Sequence, residues 1–190
     1  SYLQAVRAIA DHAKIPVHLD GSRIFNAAIA LDCNVQTFTQ HVDSVQFCLS
    51  KGLAAPVGSL VCGSADFIAQ ARRLRKMVGG GMRQAGVIAA AGLVALQEMV
   101  SRLAEDHQTA RTLATGLADL PGMQLDLETV QTNIVIFGPK SLPPEGSSFA
   151  EVLAREGVKV GDIGGGRFRA VTHYGITDRD INEALRVMRT

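Results

Sequence analysis

The chain has 190 residues, of which 47% are hydrophobic and 19% are charged, so it has the apolar residues for a core and too little charge for disorder. A net charge of +1 and the absence of Trp argue against a dedicated nucleic-acid-binding protein, which needs basic surfaces and aromatic stacking residues. The longest apolar run, residues 85–96, is short for a membrane span, and we expect neither a membrane span nor a secretory signal. Cysteines at positions 33, 48 and 62 form no metal-ligand pattern, so we expect no metal site and interpret them as small core residues. Their odd number and spacing also favour a reduced, cytoplasmic protein.

Hydrophobic periodicity and turn residues predict alternating helices and strands, which is typical of an α/β protein. In the first half we predict, in chain order, a helix over 1–13, a strand over 17–20, a helix over 23–31, strands over 44–49 and 59–62, and a basic helix over 65–78. A long Ala-rich helix follows from about residue 82 to 120, kinked or split near its middle. In the second half we predict strands over 123–127, 133–137, 158–160 and 168–172, an exposed loop over 141–148, and helices over 148–156 and 178–188.

The first half has few strands for an open α/β sheet, which averages about five or six. The sequence also starts inside a predicted helix and without Met. We therefore expect this chain to be the C-terminal portion of a longer protein. We place a boundary between a larger and a smaller domain inside the long helical stretch.

Asp20 and Lys51 each follow a predicted strand, and they are the strongest candidates for chemistry. Open α/β sheets bind ligands at the carboxyl ends of their strands. A lysine there can form a Schiff base with a carbonyl cofactor, and an acid can hold a protonated ring nitrogen. The pair therefore matches the needs of a pyridoxal phosphate site. Taken singly, Asp20 could instead cap the next helix, and Lys51 could be a solvated loop lysine.

Several arginines could bind anions. Arg23 could hold a carboxylate or phosphate with two hydrogen bonds. The basic cluster at 72–76 together with Arg83 could bind phosphate, and Arg167 and Arg169 could reach a substrate carboxylate. Each of these groups could also be an ordinary surface charge, so the residue types alone leave the choice open.

Four segments resemble those of one family. Residues 18–27, HLDGSRIFNA, resemble the HLDGARIFNA segment of low-specificity L-threonine aldolases, and residues 48–59, CLSKGLAAPVGS, resemble their lysine loop. Residues 71–86, with three consecutive glycines, resemble their basic segment, and residues 169–173, RAVTH, resemble an arginine strand near their C-terminus. The order and spacing also agree, so the resemblance covers essentially the whole chain.

The resemblance implies a pyridoxal-phosphate-dependent transferase-like fold (fold type I), which is an α/β fold. Residues 1–100 would be the C-terminal part of its large cofactor-binding domain, and residues 101–190 its small C-terminal α/β domain. The implied reaction is cleavage of L-threonine or L-allo-threonine to glycine and acetaldehyde. The implied assembly is a homo-oligomer, a dimer or a tetramer, with sites at a subunit interface.

The same resemblance implies roles for individual residues. Lys51 would bind pyridoxal 5'-phosphate as a Schiff base, Asp20 would pair with its ring nitrogen, and Ser22 would lie against one ring face. The full set of implied cofactor-binding residues is Lys51, Asp20, Ser22, Arg23, Ser50 and Arg83. The implied substrate-binding residues are Arg23 and Arg169, for the carboxylate, and Lys76.

The chain departs from the family pattern in two ways. The family usually has Ala where this chain has Ser22, and its members carry a preceding segment that completes the site. We therefore expect this chain to hold half a site, to bind cofactor poorly on its own, and to turn over little. Two alternatives stay open: another pyridoxal-phosphate-dependent β-eliminating lyase, or a non-catalytic fragment that needs its missing N-terminal segment.

Overall fold

The computed structural model describes residues 1–141 and 149–189. The chain forms two compact units, Ser1–Ser101 and Arg102–Thr190. The division falls within one long helix, which contributes residues to both units.

The first unit combines helices with a small sheet. Its elements in chain order are α1 (Tyr2–Ala13), β1 (His18–Asp20), α2 (Ile24–Ala30), α3 (Gln36–Thr39), β2 (Ser44–Cys48), β3 (Ser59–Gly63) and α4 (Ala65–Met77). Helix α1 starts with a capping box, in which Ser1 accepts a hydrogen bond from the N–H of Gln4 and the Gln4 side chain bonds back to Ser1. Helix α4 starts in a similar way, since the Ser64 hydroxyl accepts from the N–H of Phe67.

The strands of residues 1–101, all of which are described, form one sheet in the order β1-β2-β3. Strands β1 and β2 are parallel, with Asp20 opposite Gln46. Strand β3 runs antiparallel to β2, because the loop over 49–58 is shorter than the crossover that a parallel neighbour requires. Since β1 and β2 are parallel, they end at the same edge of the sheet, where Asp20 ends β1 and the loop carrying Lys51 leaves β2.

Helix α5 (Gly86–Ala118) is one uninterrupted helix of 33 residues, so the predicted split is wrong. Its Ala, Leu, Glu, Gln and Arg residues are strong helix formers, and an interior glycine such as Gly92 costs only about 1 kcal/mol relative to Ala. By length and composition alone this helix could cross a membrane, which corrects the expectation that no segment meets those two measures. The core helices of other proteins pass the same test, so a single such helix is weak evidence for a membrane span.

The described part of the second unit begins with the end of α5. The elements that follow are β4 (Met123–Gln124), a 3-10 turn (Leu127–Thr129), β5 (Ile134–Pro139), α6 (Phe149–Arg155), β6 (Gly161–Gly164), β7 (Arg167–Val171) and α7 (Asp178–Met188). Its described strands form an antiparallel sheet in the order β4-β5-β7-β6. One face of this sheet contributes to a core with α5 and α7. The buried cluster comprises Ala110, Leu113, Ala114, Leu117, Leu120, Val130, Val135, Phe137, Phe168, Ala170, Ile181 and Leu185.

The predicted strand over 158–160 is wrong, and β6 instead begins at Gly161. The backbone N–H of Val158 donates to the C=O of Leu153 at 2.9 Å, and Gly157 takes a positive φ of 86°. These features close the end of α6, so the amide of Val158 serves the helix end and not a strand. Helix α3 was not predicted, and the predicted loop over 141–148 lies, apart from Ser141, outside the described residues, as does Ser148 at the start of the predicted helix over 148–156.

The cysteines are not core residues, contrary to the prediction. Cys62 is exposed, Cys33 and Cys48 are half-buried, and all three are free thiols. Cys48 occupies the last position of β2, at the edge of the sheet where the candidate site lies.

Candidate active site

A cluster of polar side chains lies where β1 and β2 end, and we call it the Asp20 cluster: Asp20, Ser22, Gln46, Cys48, Lys51 and Ser59. Side chains alternate between the faces of a strand, so Gln46 and Cys48 share one face of β2. The strand register places Gln46 beside Asp20 on one side and Cys48 beside Ser59 on the other. The cluster is thus a direct product of the register of the sheet.

Asp20 is held by three hydrogen bonds that converge on its Oδ1. The backbone N–H of Ser22 donates at 3.0 Å, the Ser22 hydroxyl donates at 2.5 Å, and the Gln46 amide Nε2 donates as well. The Ser22 bonds hold the pKa of the Asp20 carboxyl below its ordinary value, with Gln46 and the Lys51 charge acting in the same direction. The alternative that Asp20 caps the next helix is wrong, because Arg23 is at the N-cap of α2 and Asp20 instead accepts from Ser22 and Gln46.

Lys51 projects from a loop whose backbone is fixed by its own contacts. The N–H of Ala54 donates to the C=O of Lys51 at 2.9 Å, and the N–H of Leu49 donates to the C=O of Gly58 at 2.9 Å. Leu53 is only 3% exposed and anchors the loop, whereas Lys51 itself is exposed. The loop therefore presents a primary amine from a fixed backbone, close enough to Asp20 for its charge to act on that carboxyl.

The thiol of Cys48 is also part of the Asp20 cluster. The Ser59 hydroxyl donates to its Sγ at 3.4 Å, and Ser22 and Lys51 lie near enough to act on the thiol. These neighbours, Ser59 first, lower the pKa of the Cys48 thiol against the opposing effect of its partial burial. Cys48 therefore places Ser22 and Lys51 beside the same sulfur atom.

The remaining predicted site residues of the first unit lie outside these contacts. Arg23 is half-buried and follows Ser22 directly, and Ser50 is exposed beside Lys51. Lys76 and Arg83 are exposed, Lys76 at the end of α4, and none of the hydrogen bonds that define the Asp20 cluster involves them. In the described residues, Lys76 packs along the backbone at Gly81, where a Cβ would lie 2.9 Å from its Cδ.

Arg169 belongs to the second unit, on β7. It shares the exposed face of that strand with Arg167, while Phe168 and Ala170 point into the core. Strand register sets Arg169 between Ile136 of β5 and Gly161 of β6, in the middle of the sheet. Its side chain is thus presented outward from a strand that is paired on both sides.

Two members of the cluster, Gln46 and Cys48, were not predicted as site residues. Gln46 pairs with Asp20, and the alternation of side chains along β2 places Cys48 on the same face as Gln46. This alternation is the signal in the sequence that could have linked the two residues. The missing information was the pairing of β1 with β2, because the sequence alone does not fix which residue of β2 lies opposite Asp20.

The fold of this chain is shared with enzymes that act on amino acids. The solved structure of threonine aldolase from Leishmania major superposes with a TM-score of 0.74 at 16% sequence identity, covering 98% of this chain and 55% of that one. The fold is therefore mixed α/β of the pyridoxal-phosphate-dependent fold type I, as expected. The family model of the beta-eliminating lyases matches residues 1–138, and the chain belongs to that family.

Relatives within the family carry closely similar sequences. Low-specificity L-threonine aldolase 1 of Arabidopsis thaliana is 41% identical over 189 residues, which are 97% of this chain and 52% of that protein. The low specificity L-threonine aldolase of Escherichia coli K12 is 48% identical over 118 residues, which are 62% of this chain and 35% of that protein. The chain thus spans about half the length of the first of these relatives.

Members of this family depend on pyridoxal phosphate, and the Asp20 cluster fits that group. Donors from Ser22 and Gln46 keep the Asp20 carboxylate ionised, which suits a protonated pyridine nitrogen. The exposed amine of Lys51 suits the aldehyde. The cluster supplies partners for the ring and the aldehyde, while the phosphate needs further residues.

Proposed function

We propose that this chain is part of a pyridoxal-phosphate-dependent lyase that cleaves L-threonine or L-allo-threonine to glycine and acetaldehyde. The observation that carries the proposal is geometric: the Asp20 carboxylate ends β1 at the same edge of the sheet where the loop carrying Lys51 leaves the parallel strand β2. The relatives that share its sequence are named low-specificity L-threonine aldolases, which supports the choice of substrate.

The residues of the cluster have distinct tasks in this proposal. When bound, pyridoxal phosphate supplies a ring that accepts the electrons released as the Cα–Cβ bond of the amino acid breaks. Asp20 holds the proton on the ring nitrogen, and its three donors prevent the carboxyl from taking that proton for itself. Lys51 holds the cofactor covalently through its Nζ. Ser22 and Ser50 flank these two residues, and Arg23 and Arg83 complete the proposed cofactor-binding set.

The substrate carboxylate calls for a cation, and three basic residues are proposed for it. Arg23 and Arg169 can each form two hydrogen bonds with a carboxylate, which fixes the orientation of the amino acid. Lys76 adds positive charge. Orientation matters chemically, since the bond that breaks must stand perpendicular to the ring that accepts its electrons.

The assembly and location follow the same reasoning. The site is proposed to be completed by the segment that the longer relatives carry and by subunits of a dimer or a tetramer. The three free thiols are in keeping with a reducing, cytoplasmic compartment. No role in nucleic-acid or membrane binding is proposed.

Cofactor attachment can be tested by reductive trapping, which captures a weakly bound aldehyde. The chain contains five lysines, at positions 14, 51, 76, 140 and 159, and they compete for the cofactor. After incubation with pyridoxal phosphate and borohydride, peptide mass spectrometry should find the pyridoxyl group mainly on Lys51. Lys51→Ala should abolish this preference, and Lys159→Ala should leave it intact. Equal labelling of all five lysines would refute the proposal.

The type of reaction can be tested by product analysis with the missing segment supplied. Glycine and acetaldehyde from L-threonine would support the aldolase assignment, whereas ammonia and a keto acid would indicate a β-eliminating lyase. The non-catalytic alternative would be favoured if adding the segment neither changed the trapping at Lys51 nor produced turnover.

A further inference from the structure

A triangle of hydrogen bonds joins the side chains of Ser22, Asp20 and Gln46. The Ser22 hydroxyl donates to Asp20 Oδ1 at 2.5 Å and accepts from Gln46 Nε2 at 2.8 Å, while Gln46 Nε2 also donates to the same Oδ1. Each of the three side chains is therefore held by the other two. The family pattern usually has Ala at position 22, and Ala could neither donate nor accept in this triangle.

The backbone holds the triangle in place. Asp20 and Gln46 are register partners on adjacent parallel strands. The N–H of Gly21 donates to the C=O of Gln46 at 2.8 Å, which extends the pairing past the end of β1. Because both residues are fixed through their main chains, only side-chain conformational entropy is lost when the side chains meet.

We propose that Ser22 and Gln46 are positioning residues that fix the Asp20 carboxylate for the ring nitrogen of pyridoxal phosphate. The inference rests on the proposed function and deepens it, because it says what holds the cofactor's ionic partner. Both donors are neutral, so the full negative charge of Asp20 remains to pair with the protonated ring nitrogen. They all act on Oδ1, which sets the rotation of the carboxyl group about its own axis.

A positioning role can be distinguished from simple packing by comparing two ligands. A residue that only fills space affects every ligand of similar shape to the same degree. A residue that fixes a carboxylate affects only ligands with a nitrogen for that carboxylate to hold. An analogue of pyridoxal phosphate in which carbon replaces the ring nitrogen separates the two roles.

The test compares Ser22→Ala and Gln46→Met with the parent chain, using the cofactor concentration that gives half-maximal trapping at Lys51. For pyridoxal phosphate, we expect this concentration to rise about tenfold in each variant, as for the loss of a hydrogen bond to a charged group. For the carbon analogue, we expect no change. Ser22→Thr keeps the hydroxyl and should behave like the parent, and Ser101→Ala, on the exposed surface of α5, serves as the control.

A second measurement needs no cofactor. Titration of the Asp20 carboxyl carbon by NMR should give a higher pKa in Ser22→Ala and in Gln46→Met than in the parent, since each variant removes a donor to the ionised form. Circular dichroism establishes that the variants are folded. A pKa that does not rise in either variant overturns the inference, whatever the cofactor does.

The outcomes separate the inference from the function on which it rests. Equal loss of affinity for both ligands, or no loss for either, overturns the positioning role and leaves the proposed function standing. Absence of preferential trapping at Lys51 in the parent chain overturns the proposed function itself.

Discussion

At position 21, the chain leaving β1 passes so close to β2 that a side chain would be crowded. An ideal Cβ on Gly21 would lie 2.8 Å from the C=O oxygen of Gln46 and 2.9 Å from Cγ2 of Val45. We expect Gly21→Ala to lower the free energy of unfolding by about 1–3 kcal/mol, the usual cost of overpacking, as measured by urea denaturation. Gly86→Ala is the matched control, since Gly86 begins α5 with open space around it and the change should be neutral or stabilising. Equal stability of Gly21→Ala and the parent would contradict the close approach.

Asp43 precedes β2 and connects it to the start of β1 and to α1. Its Oδ2 accepts from the N–H of Val17 at 2.7 Å and from Nη1 of Arg7 at 2.7 Å. These bonds, Val17 first, lower the pKa of the Asp43 carboxyl in the folded chain. A carboxyl whose pKa is lowered by folding stabilises the protein fully above its unfolded pKa. That stabilisation is lost as the pH falls through the lower, folded pKa.

We therefore expect Asp43→Asn to lower the melting temperature at neutral pH. The difference from the parent should shrink as the pH falls below about 4, the ordinary pKa of an aspartic acid, because only the parent loses an interaction there. Thermal melts monitored by circular dichroism at several pH values measure this. Asp119→Asn, an exposed acid after the end of α5, should show no such pH-dependent gap. A gap that is constant with pH would show that Asp43 acts without its charge.

At the scale of elements, local patterns in the sequence predicted most helices and strands, because each pattern reflects burial on one face. Helix α7 was predicted with its observed bounds, since Thr177 and Asp180 form a capping box at its start. The strand predicted over 158–160 was wrong, because Val158 has the branched side chain of a strand residue while its amide closes helix α6. The positions of Asp20 and Lys51 at strand ends were predictable for the same local reason. Gln46 was not, because its role depends on the pairing of two strands that lie apart in the sequence.

Helix α5 is buried unevenly along its length. We therefore expect substitutions of its leucines to have unequal effects on the free energy of unfolding. Leu117 is fully buried in the core of the second unit, whereas Leu93, in the first unit, is 59% exposed. We expect Leu117→Ala to cost about 2–5 kcal/mol of unfolding free energy, through lost burial and a residual cavity. Leu93→Ala should change it by less than about 0.5 kcal/mol. Urea denaturation of both variants measures the contrast, and similar losses would contradict the uneven burial.

At the scale of the whole molecule, the two units differ in how well they cover their apolar residues. Most large hydrophobic side chains that are exposed in the described residues belong to the first unit, among them Met77, Val78 and Val87. Every residue of β3 is exposed, including Leu60 and Val61. The second unit instead has a continuous buried cluster beneath its sheet. Because local stability follows buried apolar contacts, the first unit should open at a lower free energy than the second.

Native-state hydrogen exchange measures this difference directly. We expect the hydrogen-bonded amides of β2 to exchange at least about tenfold faster than those of β5, which corresponds to about 1.4 kcal/mol of opening free energy. The comparison is stringent, because β2 is the better paired strand. Its residues 44–46 pair with both β1 and β3, whereas residues 134–137 of β5 pair only with β7 and residues 138–139 only with β4. Hydrogen-bond pairing alone would therefore predict greater protection of β2, and the burial beneath β5 acts in the opposite direction. In β5, Val135 is 0% exposed and Phe137 is 1% exposed, whereas Phe47 of β2 is half-buried. Equal exchange rates would mean that the two units open together, so that the stability of the Asp20 cluster would be that of the whole chain.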